Sequence, residues 1–109
     1  MIYSVMMTNS AIEQTREIIA YIAEILMVPE TAQRWKDRLK AEMQKLSFMP
    51  NRIPLTEEEP WRSKGIHRLV VENFLVYFWI DGDAKTVWIT GVVYSRRDRL
   101  SSLIDMPLQ

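Results

Sequence analysis

Cysteine is absent from this chain, and histidine and glycine are scarce, with one and three copies among 109 residues. Without thiols the fold cannot depend on disulfides, and no cysteine can serve as a nucleophile or a metal ligand. A single histidine cannot form a paired-imidazole site, and three isolated glycines do not make a phosphate-binding loop. We therefore expect no metal ion and no cofactor.

An excess of charge and a long apolar run are missing as well. Fourteen basic residues balance fourteen acidic ones, so any contact with nucleic acid must come from a local patch. No apolar run approaches the roughly 18 residues that cross a bilayer, and residues 1–8 carry no basic leader region. The length suits one domain, 1–109. We expect a single-domain cytoplasmic protein without membrane contact.

What the chain has in abundance is β-forming sequence between residues 65 and 98. β-branched, aromatic and long aliphatic side chains dominate it, and the Asp81-Gly82 pair suits a tight turn with positive φ. The pattern predicts a three-stranded antiparallel meander, with strands near 66–72, 73–80 and 86–94.

Both faces of this meander are apolar, although a single layer of helices covers only one of them. Phe74, Val76 and Phe78 alternate with residues of the other face. We expect these three side chains to form an apolar strip that is open to water. Monomers rarely expose such a strip, so we expect a partner to cover it. The alternative is that the loop 49–64 covers the strip.

The first half of the chain predicts a short strand followed by two helices. Residues 2–8 favour β-structure, and Ser10 with Glu13 has the spacing of a capping box at a helix start. Pro29 suits the first turn of a second helix, and the short link predicts an antiparallel hairpin. The expected buried stripes contain Ile18, Ile19, Ile22, Ile25 and Leu26 in the first helix, and Ala32, Trp35, Leu39, Met43 and Leu46 in the second.

The predicted architecture is therefore α+β: one antiparallel sheet that contains the N-terminal strand and the meander, with the helix hairpin on one of its faces. Three prolines between residues 49 and 64 predict an irregular loop. Leu100, Leu103 and Ile104 are spaced for a short C-terminal helix.

The order of elements, with the segments MPNRIPL, GIHRLVVENFLVYFWID and VVYSRRDRLSSL, resembles the RelE/ParE superfamily of toxins from type II toxin–antitoxin systems. The resemblance covers nearly the whole chain. It implies a bacterial toxin of the plasmid-stabilisation type that inhibits growth and is neutralised by a protein antitoxin. On this interpretation Phe74, Val76 and Phe78 are the antitoxin-binding residues.

Two activities share this fold in the superfamily, so the fold alone does not choose between them. One branch cleaves messenger RNA on the ribosome without a metal ion, and the other poisons DNA gyrase. The resemblance puts Phe74 where the nuclease branch has a strand arginine, and Ser102 near the position of its late tyrosine. Both residues depart from the nuclease pattern, which favours gyrase as the target.

A ribonuclease remains the alternative, so the sequence leaves open whether the protein is an enzyme. Its catalytic residues would be His67, Arg68, Tyr94 and Arg96, because imidazole and guanidinium groups can move a proton and stabilise a charged phosphate. His67 can equally be structural. A third hypothesis is a non-toxic protein-interaction module.

A basic patch at the strand ends is the predicted contact with the target, whether gyrase or the ribosome with its messenger RNA. The alternative is a set of solvated strand ends paired with acidic neighbours. The predicted target-binding residues are Arg62, Lys64, Arg96, Arg97 and Arg99, and Arg68 would belong to the same basic patch.

Overall fold

The computed structural model describes residues 2–25, 27 and 29–95. These residues form an α+β arrangement. Along the chain, the first strand is followed by two helices and then by the other three strands, as predicted. No helix in these ranges is both long enough and apolar enough to cross a membrane. The elements are β1 (Ser4–Met7), α1 (Asn9–Ala20) with a π-helical extension (Tyr21–Ile25), α2 (Pro29–Gln44), β2 (His67–Val71), β3 (Phe74–Asp81) and β4 (Thr86–Tyr94).

The four strands form one sheet in the order β1-β4-β3-β2. The three later strands are paired antiparallel, which confirms the predicted meander. β1 joins its edge beside β4, but it runs parallel to β4, so the expectation of an entirely antiparallel sheet was wrong. A tight turn would force antiparallel pairing, whereas two helices separate β1 from the meander and allow either direction.

Two local details differ from the predicted turn and cap chemistry. α1 is capped by Thr8, whose hydroxyl accepts a hydrogen bond from the Ala11 N–H at 3.2 Å, so the predicted Ser10–Glu13 capping box does not form. Glu13 instead accepts from Arg16 at 3.0 Å. In the β3–β4 turn the positive φ lies at Lys85 and not at Gly82.

The main core lies between the two helices and one face of the sheet. Pro29 begins α2 as predicted, and the apolar stripe of this helix is buried at Leu39 and Met43, which are 1% and 7% exposed. Leu46, at 0% exposure, continues the stripe in the 3-10 turn Lys45–Ser47 that follows α2. Ile18 and Ile22 of the first helical segment join the same core. The side chains of Ile25 and Leu26, which belong to the predicted stripe, lie outside the described part, as does the predicted helix with Leu100, Leu103 and Ile104.

Phe74, Val76 and Phe78 face these helices, and their exposures are 1%, 0% and 0%. The prediction that they form a strip open to water was therefore wrong, and their assignment as antitoxin-binding residues loses its basis. The error was in the choice of face, because strand periodicity says which residues share a face but not which face the helices cover.

The opposite face is covered in part by the loop before β2. Leu75, Tyr77 and Val93 form a second buried cluster with Ile66, and Trp61 of the loop packs against it. The alternative prediction, that the loop 49–64 covers Phe74, Val76 and Phe78, was therefore also wrong, because Trp61 of the loop packs on the other face. Further along the same face, a cavity of about 500 Å³ is lined by Met7, Thr8, Asn9, Trp79 and Trp88.

Candidate functional site

His67 opens β2 on the side of the sheet that the helices cover. In the register it lies opposite Phe78, and the two rings stack with centroids 5.1 Å apart and planes 11° apart. Its Nδ1 lies 2.7 Å from the Ile53 carbonyl oxygen. Because a carbonyl can only accept, Nδ1 must carry the proton in this contact. The imidazole therefore ties the loop before β2 to the sheet.

Arg68 is the next residue and points to the opposite face, where its partner in the register is Tyr77. One guanidinium nitrogen lies 3.4 Å from Oε2 of Glu58. The Arg68 side chain is 25% exposed and the Glu58 side chain 16%. Arg68 is thus charge-paired and largely sheltered, on the other side of the sheet from His67.

Tyr94 ends β4 in the helix-side core and is 3% exposed. Its ring centroid lies 5.5 Å from that of Phe74 and 6.0 Å from that of Trp35. Its register partner, Phe74, is four residues along β3 from the partner of His67, which is a separation of roughly 13 Å at the usual rise per residue.

The described part of the chain therefore does not bring the predicted catalytic side chains together. His67 and Tyr94 share a face, but their partners in β3 are four positions apart, and Arg68 is on the opposite face. The fourth candidate, Arg96, lies outside the described residues. General acid–base catalysis needs groups within hydrogen-bond reach of one reacting site, which these three positions do not provide.

Part of the predicted basic patch does come together, around Glu58. The Arg62 N–H donates to the Glu58 carbonyl at 2.9 Å, and the Arg62 guanidinium lies 3.3 Å from the Thr56 carbonyl oxygen. Arg68 reaches the carboxylate of the same glutamate. Lys64 is exposed on the same loop, and Arg96, Arg97 and Arg99 lie outside the described residues.

Sequence reasoning did not predict the separate roles of three consecutive glutamates, Glu57, Glu58 and Glu59. Glu58 accepts hydrogen bonds from Thr56 and Arg68. Glu59 accepts from the backbone N–H and the hydroxyl of Ser63, at 2.9 and 2.8 Å. Glu57 is exposed. The sequence cannot distinguish three identical consecutive residues, because the geometry of the loop decides which groups each of them contacts.

Two hydrogen bonds from Ser63 hold the pKa of Glu59 below its ordinary value near 4.5. The bond from the backbone N–H has the larger effect, and the bond from the hydroxyl has the smaller one. A carboxyl whose pKa is lower in the folded state contributes stability above its unfolded pKa, and that stability is lost as the pH falls through the folded pKa. We expect the stability advantage of the wild type over Glu59→Gln to be present at pH 6 and to shrink towards pH 3. Urea unfolding midpoints at the two pH values measure it.

Glu57→Gln is the matched control for this pH experiment. It removes the same charge two positions earlier, from an exposed side chain. The difference between wild type and Glu57→Gln should vary much less with pH than the difference for Glu59→Gln. Equal pH dependence of the two variants would contradict the role of Ser63.

No group of three or more histidine, aspartate or glutamate side chains suited to a metal ion occurs within residues 2–25, 27 and 29–95. The cavity beside Trp79 and Trp88 is lined by uncharged side chains, so it offers no cation for a phosphate.

The family model for the ParE toxin of the type II toxin–antitoxin system parDE matches residues 5–99. The chain belongs to the ParE toxin family. The predicted membership of the RelE/ParE superfamily is thereby confirmed, and this ParE-family protein is a type II toxin by family. No curated protein sequence matches it.

Solved structures share the fold of this ParE-family toxin. A chain from a chromosomal ParDE toxin–antitoxin system of P. aeruginosa superposes with a TM-score of 0.69 at 21% identity, covering 85% of this chain and 96% of that one. A RelBE toxin–antitoxin complex from Mycobacterium tuberculosis gives 0.59 at 18% identity, with 85% and 91% covered. A free-state mutant of E. coli RelE gives 0.61 at 13%, with 95% and 96% covered.

Proposed function

We propose that this toxin arrests bacterial growth by binding and inhibiting DNA gyrase, without catalysing a reaction itself. The observation that carries the proposal is the separation of the nuclease candidates. Arg68 is paired with Glu58 on one side of the sheet, and His67 donates to a loop carbonyl on the other. Inhibition by binding needs a complementary surface and no convergent acid–base set.

The position of Phe74 supports the same proposal. The resemblance puts the strand arginine of the nuclease branch here, and in this chain the side chain is a 1% exposed core residue in contact with Trp35 and Tyr94. A guanidinium group at this position would be buried among aromatic rings and would contact no substrate. No other residue of β3 is basic, so the missing arginine is not replaced on this strand.

The partner that restrains the toxin is, in this proposal, a protein antitoxin. Two structural relatives are described as members of a ParDE system and a RelBE toxin–antitoxin complex. Co-expression of the cognate antitoxin should therefore prevent growth arrest. The target contact, as proposed here, is made by Arg62, Lys64 and Arg68 together with Arg96, Arg97 and Arg99.

Pulse-labelling in the first minutes after induction tests the target. We expect incorporation of thymidine into DNA to fall before incorporation of methionine into protein, with messenger RNA intact. Purified toxin should also inhibit supercoiling by gyrase in vitro. His67→Ala, once shown to be folded, should act like the wild type, because His67 has no role in binding gyrase on this account.

The opposite order of events would reject the proposal. If protein synthesis falls first, messenger RNA is cleaved, and His67→Ala or Arg96→Ala abolishes the effect, the toxin is a ribonuclease. If induction of the folded wild type leaves growth unchanged with or without the antitoxin, the chain is an interaction module without toxicity. Antitoxin co-expression is the control that separates toxicity from the burden of overexpression.

A further inference from the structure

We propose that Glu58 is a positioning residue that holds Arg68 in the arrangement that contacts the target. The inference rests on the target-contact surface proposed above. Glu58 itself touches no target. It acts through Arg68, which its side-chain carboxylate reaches, while its backbone carbonyl accepts from the N–H of Arg62 in the turn that carries a second basic residue.

Each link of this arrangement is a direct contact. The Thr56 hydroxyl donates to Oε1 of Glu58, and Arg68 donates to Oε2 at 3.4 Å. The carboxylate is thereby fixed on both oxygens. The Arg62 N–H donates to the Glu58 carbonyl at 2.9 Å. The carboxylate thus sets the position of a basic side chain on β2, whereas the Arg62 guanidinium lies 3.3 Å from the Thr56 carbonyl oxygen.

The loop that carries Glu58 is anchored to the rest of the structure, which holds Glu58 in place. Thr56 is fully buried, its N–H donates to the Ile66 carbonyl at 2.8 Å, and the Arg68 N–H donates to the Pro54 carbonyl at 3.2 Å. Trp61 packs against the cluster beneath the loop. Glu58 therefore projects from a segment that is held by hydrogen bonds before it, at Pro54 and Thr56, and by the packing of Trp61 after it.

The Glu58–Arg68 pair is also the most sheltered of the ion pairs found in the described ranges. Its side chains are 16% and 25% exposed, whereas each of the other pairs has a basic side chain that is at least 53% exposed. Exposed pairs are screened by water and salt and impose little geometry. A sheltered pair keeps its attraction, but both charges must be desolvated, so such a pair is weak evidence for a purely stabilising role.

The chain supplies its own controls, because three adjacent glutamates have different surroundings. Glu57 is exposed, Glu58 holds Thr56 and Arg68, and Glu59 holds Ser63. Glutamine at each position removes one negative charge from the same loop. A general effect of loop charge on target binding would therefore appear in all three variants, whereas a positioning effect would appear at Glu58 alone.

The experiment compares Glu57→Gln, Glu58→Gln and Glu59→Gln in the full chain. Potency is measured as the inducer level that arrests growth and as the toxin concentration that halves gyrase supercoiling. Antitoxin affinity and thermal midpoint are measured in parallel. We expect Glu58→Gln alone to lose about tenfold in potency, as expected when a charge-assisted contact is misplaced, with antitoxin affinity and midpoint close to wild type.

A double-mutant cycle then tests whether Glu58 acts through Arg68. We expect Arg68→Met to lose at least as much potency as Glu58→Gln, and the double variant to lose no more than Arg68→Met. Additive losses would overturn the inference. The inference would also be overturned if Glu58→Gln had the same potency as Glu57→Gln and Glu59→Gln, or a higher potency than the wild type. The same holds if its potency, thermal midpoint and antitoxin affinity all fell together.

These readouts separate the inference from the proposed function. Growth arrest reports potency whatever the target is. If the wild type arrests growth but does not inhibit gyrase, the gyrase proposal fails, and the comparison of the three glutamines still decides the role of Glu58.

Discussion

Replacement of Phe74 by alanine is expected to lower the free energy of unfolding by about 3 to 5 kcal/mol, which is typical when a buried aromatic side chain is removed from a core. The ring is 1% exposed and meets Trp35 edge to face, with centroids 5.8 Å apart. Tyr94 packs against its other side. Few neighbours could collapse into the space, because the sheet and α2 hold the surrounding rings in place. Urea unfolding measures the loss.

Val70→Ala is the control for Phe74→Ala, since Val70 lies in the neighbouring strand with 61% of its surface exposed. Its effect should stay within about 0.5 kcal/mol, as for most surface substitutions. An equally small effect of Phe74→Ala, combined with weaker antitoxin binding, would reverse our conclusion and return Phe74 to an exposed partner-binding strip.

The second large effect is expected in α2. Leu39→Ala should cost about 3 kcal/mol, within the range for buried leucine to alanine, because Leu39 is 1% exposed between α2 and the sheet. Trp35→Ala should cost a similar amount through lost packing against Phe74 and Tyr94. Lys40→Ala, at the next and exposed position, is the control. A loss below about 0.5 kcal/mol for Leu39→Ala would contradict the assignment of this helix face to the core.

The candidate site was only partly predictable, because residues adjacent in sequence need not be adjacent on a surface. His67 and Arg68 are consecutive, yet strand alternation sends them to opposite faces of the sheet. Glu58 and Arg68 are ten positions apart, yet they meet because the loop folds back along β2. Loop length and composition predict that such a segment is irregular, but not which of its residues turn towards the sheet.

The amino-acid sequence by itself determined the order and type of the elements. Periodicity places Leu39 and Met43 on one helix face, and the runs around β3 and β4 are rich in the β-branched and aromatic residues that favour strands. These are local properties, encoded by side-chain spacing within one turn of helix or one pair of strand residues. The family resemblance rests on the same local segments and needed no coordinates.

Only the tertiary structure decided which sheet face the helices cover, the parallel direction of β1, and the partners of the three glutamates. Both faces of β3 are apolar, so either face could pack against the helices. The hydrophobic pattern therefore did not show which face the helices cover. The choice is made by packing between segments far apart in the chain. It places Phe74 in the core and Arg68 beside Glu58 on the opposite face, because the free energy of burial depends on the whole assembly of helices, loop and sheet.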